Sequence, residues 1–160
     1  MSVSIRIPVL FATALLFAAC GGKGEPQPAS QAAAPAAEGD LTPFQLENGI
    51  GPITEPVTLA AVDPAMAKAG EAIFTQKCSA CHKMAEKYVG PALGEVTTRR
   101  TPAFIMNMIL NPQEMYTRHP VVKKLLGEYM TQMPNQGLTQ EQAREVVEYL
   151  RTTTPPAPAQ

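Results

Sequence analysis

The chain has no tryptophan, and several other residue types that commonly build functional sites are scarce. Its 160 residues include two histidines, three cysteines and 6% aromatic residues. So few histidines and cysteines leave little choice for a metal site or a disulfide framework. The 13 Lys and Arg nearly balance the 14 Asp and Glu, and no basic stripe with interleaved aromatics stands out. We therefore expect no nucleic-acid partner.

A long membrane-spanning run is also missing. The apolar stretch from Ile7 to Ala19 follows a basic residue, Arg6, and is too short to cross a bilayer. We interpret residues 1–19 as a signal peptide. Its end resembles the lipobox of bacterial lipoproteins, with Cys20 as the lipidated residue. A plain secretory signal would leave Cys20 as a lone exposed thiol in an oxidising compartment, which favours lipidation.

Composition divides the remaining chain into four segments. Residues 20–39 are rich in Ala, Pro and Gln, so we predict a disordered tether. Residues 40–62 add large apolar residues among Gly and Pro without a helical period, and we predict an extended arm that packs on the folded domain. Residues 63–152 form the one domain, and residues 153–160 a disordered tail. A domain of this size without tryptophan has a marginal core.

The domain shows start signals for helices. Asp63 precedes Pro64, which is typical of a helix N-terminus, and the helix then runs to Lys77. Gly70 lies inside it, which predicts close approach by another helix. Thr139 and Gln142 have the spacing of a capping box at the start of the last helix. Two further helices are predicted, Ala103 to Leu110 and Val121 to about Tyr129. No alternating pattern suggests a sheet, so the predicted fold is all-α.

The sequence Cys78-Ser79-Ala80-Cys81-His82 carries the most specific chemistry. Two thiols three positions apart with a histidine directly behind them form the attachment site of a c-type haem. A thiol–disulfide pair normally opens a helix within a strand–helix–strand pattern, which is missing here. A zinc site would have to recruit His119 and would have two adjacent ligands at an odd spacing. We therefore predict one covalent haem, with His82 as an axial ligand of its iron.

The second axial ligand is less closely fixed. A strong sixth ligand makes an electron carrier, whereas an open position permits binding or catalysis. Pro134 ends helical geometry and lets the Met133 sulfur project from a loop, so Met133 is the predicted ligand. Met130, expected at the end of the preceding helix, and His119, more typical of a surface or capping histidine, remain alternatives. Met115, expected in a loop, is another.

These features together resemble a class I monohaem cytochrome c over about residues 64–151. A helix with Gly70 and Phe74 leads into the Cys-x-x-Cys-His motif, a Gly-Pro-x-Leu and a Met-Pro follow, and a capped helix ends the domain. The resemblance implies a cytochrome c fold of about four helices around one covalently attached haem. It also implies that the Pro91 carbonyl accepts a hydrogen bond from the His82 ring. Arg99 and Arg100 are the nearest candidates to pair with a haem propionate.

The resemblance implies a single-haem carrier of electrons between periplasmic or membrane redox proteins, not an enzyme. Whether it is a subunit of a larger oxidoreductase stays open, and we expect no small-molecule substrate. Residues Pro102–Pro112 and Thr117–Lys124 resemble small lipoprotein cytochromes associated with nitrous-oxide respiration. The predicted location is the cell envelope, lipid-anchored and facing the periplasm, with Gly21 slightly favouring the outer membrane. Rival interpretations are a haem enzyme or gas sensor with a labile sixth ligand, and a thiol oxidoreductase.

Overall fold

The computed structural model describes residues 41–153. The predicted signal peptide (1–19), the predicted lipidation site Cys20, the predicted tether (20–39) and residues 154–160 of the predicted tail lie outside the described residues. Among residues 41–153, no helix combines the length and the apolar character that crossing a membrane requires.

Helices are the regular structure of this part of the chain, and residues 41–153 contain no strand. The prediction of an all-α fold is confirmed. Two short helices, Val96–Arg99 and Pro112–Arg118, join those predicted for the domain. In chain order the helices are α1 (Pro43–Asn48), α2 (Pro64–Lys77), α3 (Val96–Arg99), α4 (Pro102–Leu110), α5 (Pro112–Arg118), α6 (Pro120–Tyr129) and α7 (Gln140–Thr152).

The predicted helix N-caps form the expected hydrogen bonds. An Asp63 carboxylate oxygen accepts hydrogen bonds from the backbone N–H groups of Ala65 (2.8 Å) and Met66 (3.1 Å) at the start of α2. At the start of α7, the Thr139 hydroxyl accepts from the Gln142 N–H at 3.2 Å, and the Gln142 amide oxygen accepts from the Thr139 N–H at 3.0 Å. Both helix termini therefore satisfy backbone donors that would otherwise lack partners.

Close contact between α2 and α7 builds the main core. A Cβ atom at Gly70 would overlap the backbone carbonyl of Glu145 in α7, so only glycine permits this approach. The Phe74 ring lies 5.3 Å from the Tyr149 ring and packs in a buried cluster with residues of α4 and α7. The prediction that Gly70 marks a helix crossing is confirmed. The crossing fixes the direction in which the end of α2, and hence the Cys-x-x-Cys-His motif, leaves the core.

The arm predicted as extended contains a short helix. Thr42 and Gln45 form a capping box that starts α1. The helix was not predicted, because its six residues are too few to show an amphipathic period. From Gly49 the chain runs without helix to α2. The expected packing of the arm on the domain is observed, because Ile50 is buried in a cluster with Phe104 and Met115.

Polar contacts hold the arm in place along its length. The fully buried Asn107 side chain of α4 donates to the carbonyls of Asn48 and Ile53, both at 2.9 Å, and accepts from the Ile53 N–H at 3.0 Å. The Met115 sulfur lies 3.1 Å from the Ile50 nitrogen and accepts its N–H. Met115 therefore lies in helix α5, not in the predicted loop, and its sulfur is already engaged.

A buried ion pair fixes the end of the arm to α7. Glu148 is 1% exposed and pairs with Arg144 and with Arg151, whose Nη1 lies 2.7 Å from a Glu148 carboxylate oxygen. The other terminal nitrogen of Arg151 donates to the Ala60 carbonyl at 2.7 Å. The arm is thus an integral layer of the domain rather than a loose extension.

Candidate haem-binding site

The Cys-x-x-Cys-His motif forms a turn directly after α2. The N–H groups of Cys81 and His82 both donate to the Cys78 carbonyl, at 3.0 and 2.9 Å. The Ser79 hydroxyl donates to the Thr75 carbonyl at 2.6 Å, which continues the hydrogen bonding of the helix end. This compact turn brings both sulfur atoms and the imidazole to the wall of one cavity.

The cavity has a volume of about 250 Å³ and a largely apolar lining. The predicted haem residues Cys78, Cys81, His82 and Met133 all line it. Pro91, Arg99 and Arg100 line it as well. The remaining wall comes chiefly from α4, α6 and α7, with side chains that include Phe104, Ile105, Met108, Ile109, Val122, Leu125, Leu126, Val146 and Leu150. The structure therefore brings every predicted haem residue to one apolar space.

Backbone groups orient the His82 ring. Its Nδ1 lies 3.0 Å from the Pro91 carbonyl oxygen and donates its proton there, which leaves Nε2 free to bind a metal. A Cβ atom at Gly90 would lie 2.5 Å from Cε1 and 2.9 Å from Nδ1 of the ring, so the backbone of Gly90 fits closely against the imidazole. The Gly90 N–H in turn donates to the Cys81 carbonyl at 2.9 Å. The loop thus holds the ring in one orientation.

Met133 faces the same cavity from the segment between α6 and α7. Asn135 fastens this segment, because its side-chain amide donates to the Leu110 carbonyl at 3.1 Å and its side-chain oxygen accepts from the Gly137 N–H at 2.8 Å. Gly137 has a φ of 66°, a left-handed conformation that suits glycine. The Met133 thioether is therefore presented by a fixed loop.

The alternatives for the sixth ligand lie elsewhere. Met130 ends α6 in a left-handed conformation (φ 52°), is 83% exposed, and is not among the residues that line the cavity. His119 does not line it either. The prediction of a surface His119 is wrong: the side chain is fully buried, and its Nε2 lies 3.1 Å from the Leu46 carbonyl oxygen. It occupies the cap position before α6 but makes no side-chain capping hydrogen bond.

The position of His119 also bears on the zinc alternative. A site built from Cys78, Cys81 and His82 would need His119 as its fourth ligand. The structure engages that imidazole with the arm, away from the cavity that the other three residues line.

Electrostatics disfavour a thiol–disulfide function. Burial raises the pKa of the Cys78 thiol to about 11, and the charge of a neighbouring Cys81 thiolate adds to the increase. A reactive redox cysteine needs the opposite, a lowered pKa that makes the thiolate available near neutral pH. The raised pKa of Cys78 therefore argues against a thiol–disulfide function.

Arginines contribute positive charge to the cavity wall. Arg99 donates to the Ala92 carbonyl at 3.0 Å and pairs with Glu95 at 3.7 Å. The Arg100 guanidinium lies over the Phe104 ring, 5.1 Å from its centroid. Both side chains can meet a negatively charged group in the cavity.

These residues fit a haem. The thiols can form thioether bonds, Nε2 of His82 is free, a thioether faces the same space, and the wall is largely apolar. Sequence reasoning overlooked Gly90 and the aromatic wall formed by Phe104, Tyr116 and Tyr129. The Gly90-Pro91 pair after the motif could have indicated the close approach of the Gly90 backbone to the His82 ring. The sequence gives no comparable indication for the aromatic residues, because helix periodicity does not show which part of the molecule an apolar helix face packs against.

Comparisons with known proteins agree with this geometry. The family model described as cytochrome c matches residues 67–154. A solved structure of cytochrome c from Rhodothermus marinus is 47% identical, with a TM-score of 0.66 over 70% of this chain and 97% of that one. An engineered cytochrome c from Rhodothermus marinus, bound to a carbene intermediate, is 46% identical with a TM-score of 0.63 at the same coverage. Cytochrome c-551 from Stutzerimonas stutzeri is 52% identical over 40 residues, which are 24% of this chain and only 38% of that relative.

Proposed function

The chain belongs to the cytochrome c family, and from that premise we propose that it is a single-haem electron carrier whose iron is held by His82 and Met133. Membership implies covalently bound haem c, for which Cys78 and Cys81 are present, and a role in electron transfer. The haem, when bound, supplies one-electron exchange at its iron. The protein residues supply ligands, orientation and an apolar surrounding.

The observation that carries this proposal is the meeting of His82 and Met133 at one cavity. The Pro91 carbonyl accepts the Nδ1 proton of His82, which fixes the tautomer and makes Nε2 a more basic ligand. A methionine thioether as the second ligand raises the reduction potential relative to more basic ligands. Two strong ligands also leave no open position for a substrate, as a carrier requires.

Replacing Met133 tests the ligand assignment. Met133→Ala should abolish the methionine–iron charge-transfer band of the oxidised protein, because the loop between α6 and α7 then offers the iron no thioether. Met130→Ala is the matched control and should keep that band, since the Met130 side chain is 83% exposed. Optical spectra of both variants check this. A band that persists in Met133→Ala would exclude Met133.

We also propose that lipidated Cys20 tethers the domain to a membrane, facing the periplasm. Support comes from the lipobox-like end of residues 1–19 and from the Ala/Pro/Gln-rich tether that follows. A tether keeps a carrier at high effective concentration near membrane-bound partners. Mass spectrometry of the mature protein, with Cys20→Ser as the control, tests for acyl chains on Cys20. An unmodified Cys20 would reject this part of the proposal.

The proposed partners are redox proteins, and nitrous-oxide reductase is the proposed terminal reductase of this electron-transfer chain. Support comes from Pro102–Pro112 and Thr117–Lys124, which resemble the lipoprotein cytochromes associated with nitrous-oxide respiration. The reduced cytochrome should be reoxidised by purified nitrous-oxide reductase and nitrous oxide, as followed by absorbance. Reoxidation no faster than without the reductase would remove this partner and leave the carrier function intact.

One observation favours a second candidate, a haem enzyme or gas sensor with a labile sixth ligand. An engineered relative is described as bound to a carbene intermediate. In this candidate Met133 would be a weak ligand, and a small molecule could take its place at the cavity. Rapid binding of carbon monoxide to the reduced protein would support it, whereas no binding over minutes would support the carrier.

A further inference from the structure

His119 is a buried titratable residue that the proposed iron site does not use. Its imidazole is fully buried, and Nε2 lies 3.1 Å from the Leu46 carbonyl oxygen in α1. Because a carbonyl can only accept, the neutral ring carries its proton on Nε2. Nδ1 is buried without a hydrogen-bond partner. Such a position is costly for a polar ring and calls for a physical reason.

Two side chains, Phe104 and Arg100, connect this imidazole with the haem cavity. The His119 ring meets the Phe104 ring edge-on, with 5.2 Å between centroids and an interplanar angle of 85°. The Arg100 guanidinium lies over the Phe104 ring at 5.1 Å from its centroid. Phe104 and Arg100 line the cavity, whereas His119 does not. The imidazole therefore acts on the cavity through Phe104.

Charge reinforces this geometry. Burial lowers the pKa of His119, hydrogen bonds to the Leu46 and Gln45 carbonyls act against the decrease, and the positive charge of Arg100 adds to it. The charged residues on the elements around the imidazole are Arg100 before α4, Glu47 in α1, the Glu114–Arg118 pair in α5, and Lys123, Lys124 and Glu128 in α6. Among these residues, Arg100 is the one whose charge lowers the pKa of His119. The two groups therefore interact electrostatically across Phe104.

We propose that His119 is a positioning residue for the haem site, because its T-shaped contact fixes the Phe104 ring and so holds the Arg100 charge at the cavity. The proposal rests on the proposed function as a haem electron carrier. A fixed positive charge near the haem favours the ferrous state, which carries one positive charge fewer than the ferric state.

Two substitutions separate the roles of the ring. His119→Gln keeps an N–H donor for the Leu46 carbonyl but loses the aromatic edge. His119→Phe keeps the edge but loses the donor. We expect His119→Gln to lower the reduction potential, so that the equilibrium constant for reduction by a fixed donor falls about twofold to fivefold. His119→Phe should keep the wild-type value at pH 7, when the wild-type imidazole is neutral.

A matched control guards against general loosening of the arm. Thr42→Ala removes the capping box of α1 and weakens the arm without touching either ring. Its potential should equal the wild-type value in a spectroelectrochemical titration. An equal shift in Thr42→Ala and His119→Gln, or no shift in His119→Gln, would overturn the proposal.

The pH dependence gives a readout that a merely structural residue would not move. As pH falls and His119 takes up a proton, its positive charge should raise the wild-type potential, and His119→Phe should lose this part of the pH profile. If His119→Gln does not fold, Arg100→Gln carries the test. It should lower the potential and raise the His119 pKa, followed by NMR of the ferrous protein. Unchanged values in Arg100→Gln would overturn the proposal.

Absorption spectra distinguish this failure from failure of the proposed function. A wild-type protein without the methionine–iron band would reject the proposed ligation, whatever the potentials show. Normal spectra in all variants with identical potentials would reject the role of His119 alone.

Discussion

The His82 imidazole lies against a backbone position that has no room for a side chain. A Cβ atom at Gly90 would come within 2.5 Å of its Cε1. Gly90→Ala should therefore tilt the ring and break its hydrogen bond to the Pro91 carbonyl, lowering the free energy of unfolding by about 1–3 kcal/mol. Thermal melts and the methionine–iron band would report both effects. Pro91→Ala keeps the carbonyl oxygen and serves as the control, and an effect as large as that of Gly90→Ala would contradict this explanation.

Burial of His119 also predicts a pH dependence of stability. Its pKa in the folded protein lies below the ordinary value of 6.5. The unfolded chain therefore binds the proton first as pH falls, and the stability present above about pH 6.5 declines below it. Urea unfolding at a series of pH values measures the slope between pH 7 and 5. His119→Phe should flatten it, and an unchanged slope would show that other groups cause the decline.

At the scale of elements, the crossing of α2 and α7 depends on one missing side chain. Gly70→Ala would place a methyl group on the Glu145 carbonyl and force the helices apart. We expect a loss of about 3 kcal/mol, because backbone atoms cannot give way as a flexible side chain can. Gly127→Ala in α6 is the matched control. No atom lies within 4 Å of a Cβ there, so it should stabilise the protein by about 0.5–1 kcal/mol. Chemical denaturation of both variants checks the contrast, and a stable Gly70→Ala would refute it.

Sequence reasoning succeeded where the signal is local. The Asp63 and Thr139 caps and the Cys-x-x-Cys-His motif each specify chemistry within a few residues, and the structure bears out both caps. Gly70 marks a close helix contact by its own type, because a glycine inside a helix needs a packing reason, and the structure bears this out too. The burial of His119 could not be predicted, because its partner Leu46 lies 73 positions away along the chain. Helix α5 was overlooked since one short amphipathic segment shows too few turns for a period to emerge.

At the scale of the whole molecule, we expect stability to depend on the haem. The cavity separates α4, α6 and α7 from the motif, and a domain of this size has little other core to replace that contact. Chain produced without haem attachment should therefore lose helical circular dichroism gradually on heating, whereas the haem-bearing protein should unfold in one sharp transition. A sharp transition in both forms would show that the polypeptide core suffices alone.

Met130 gives the molecule an outlying sulfur atom. It is 83% exposed, whereas Met115 is fully buried and Met133 faces the cavity. Dilute peroxide should therefore convert Met130 to its sulfoxide before either of the others. Brief exposure to an oxidant would then leave one added oxygen at Met130, while the Met133 thioether, the proposed iron ligand, stays intact.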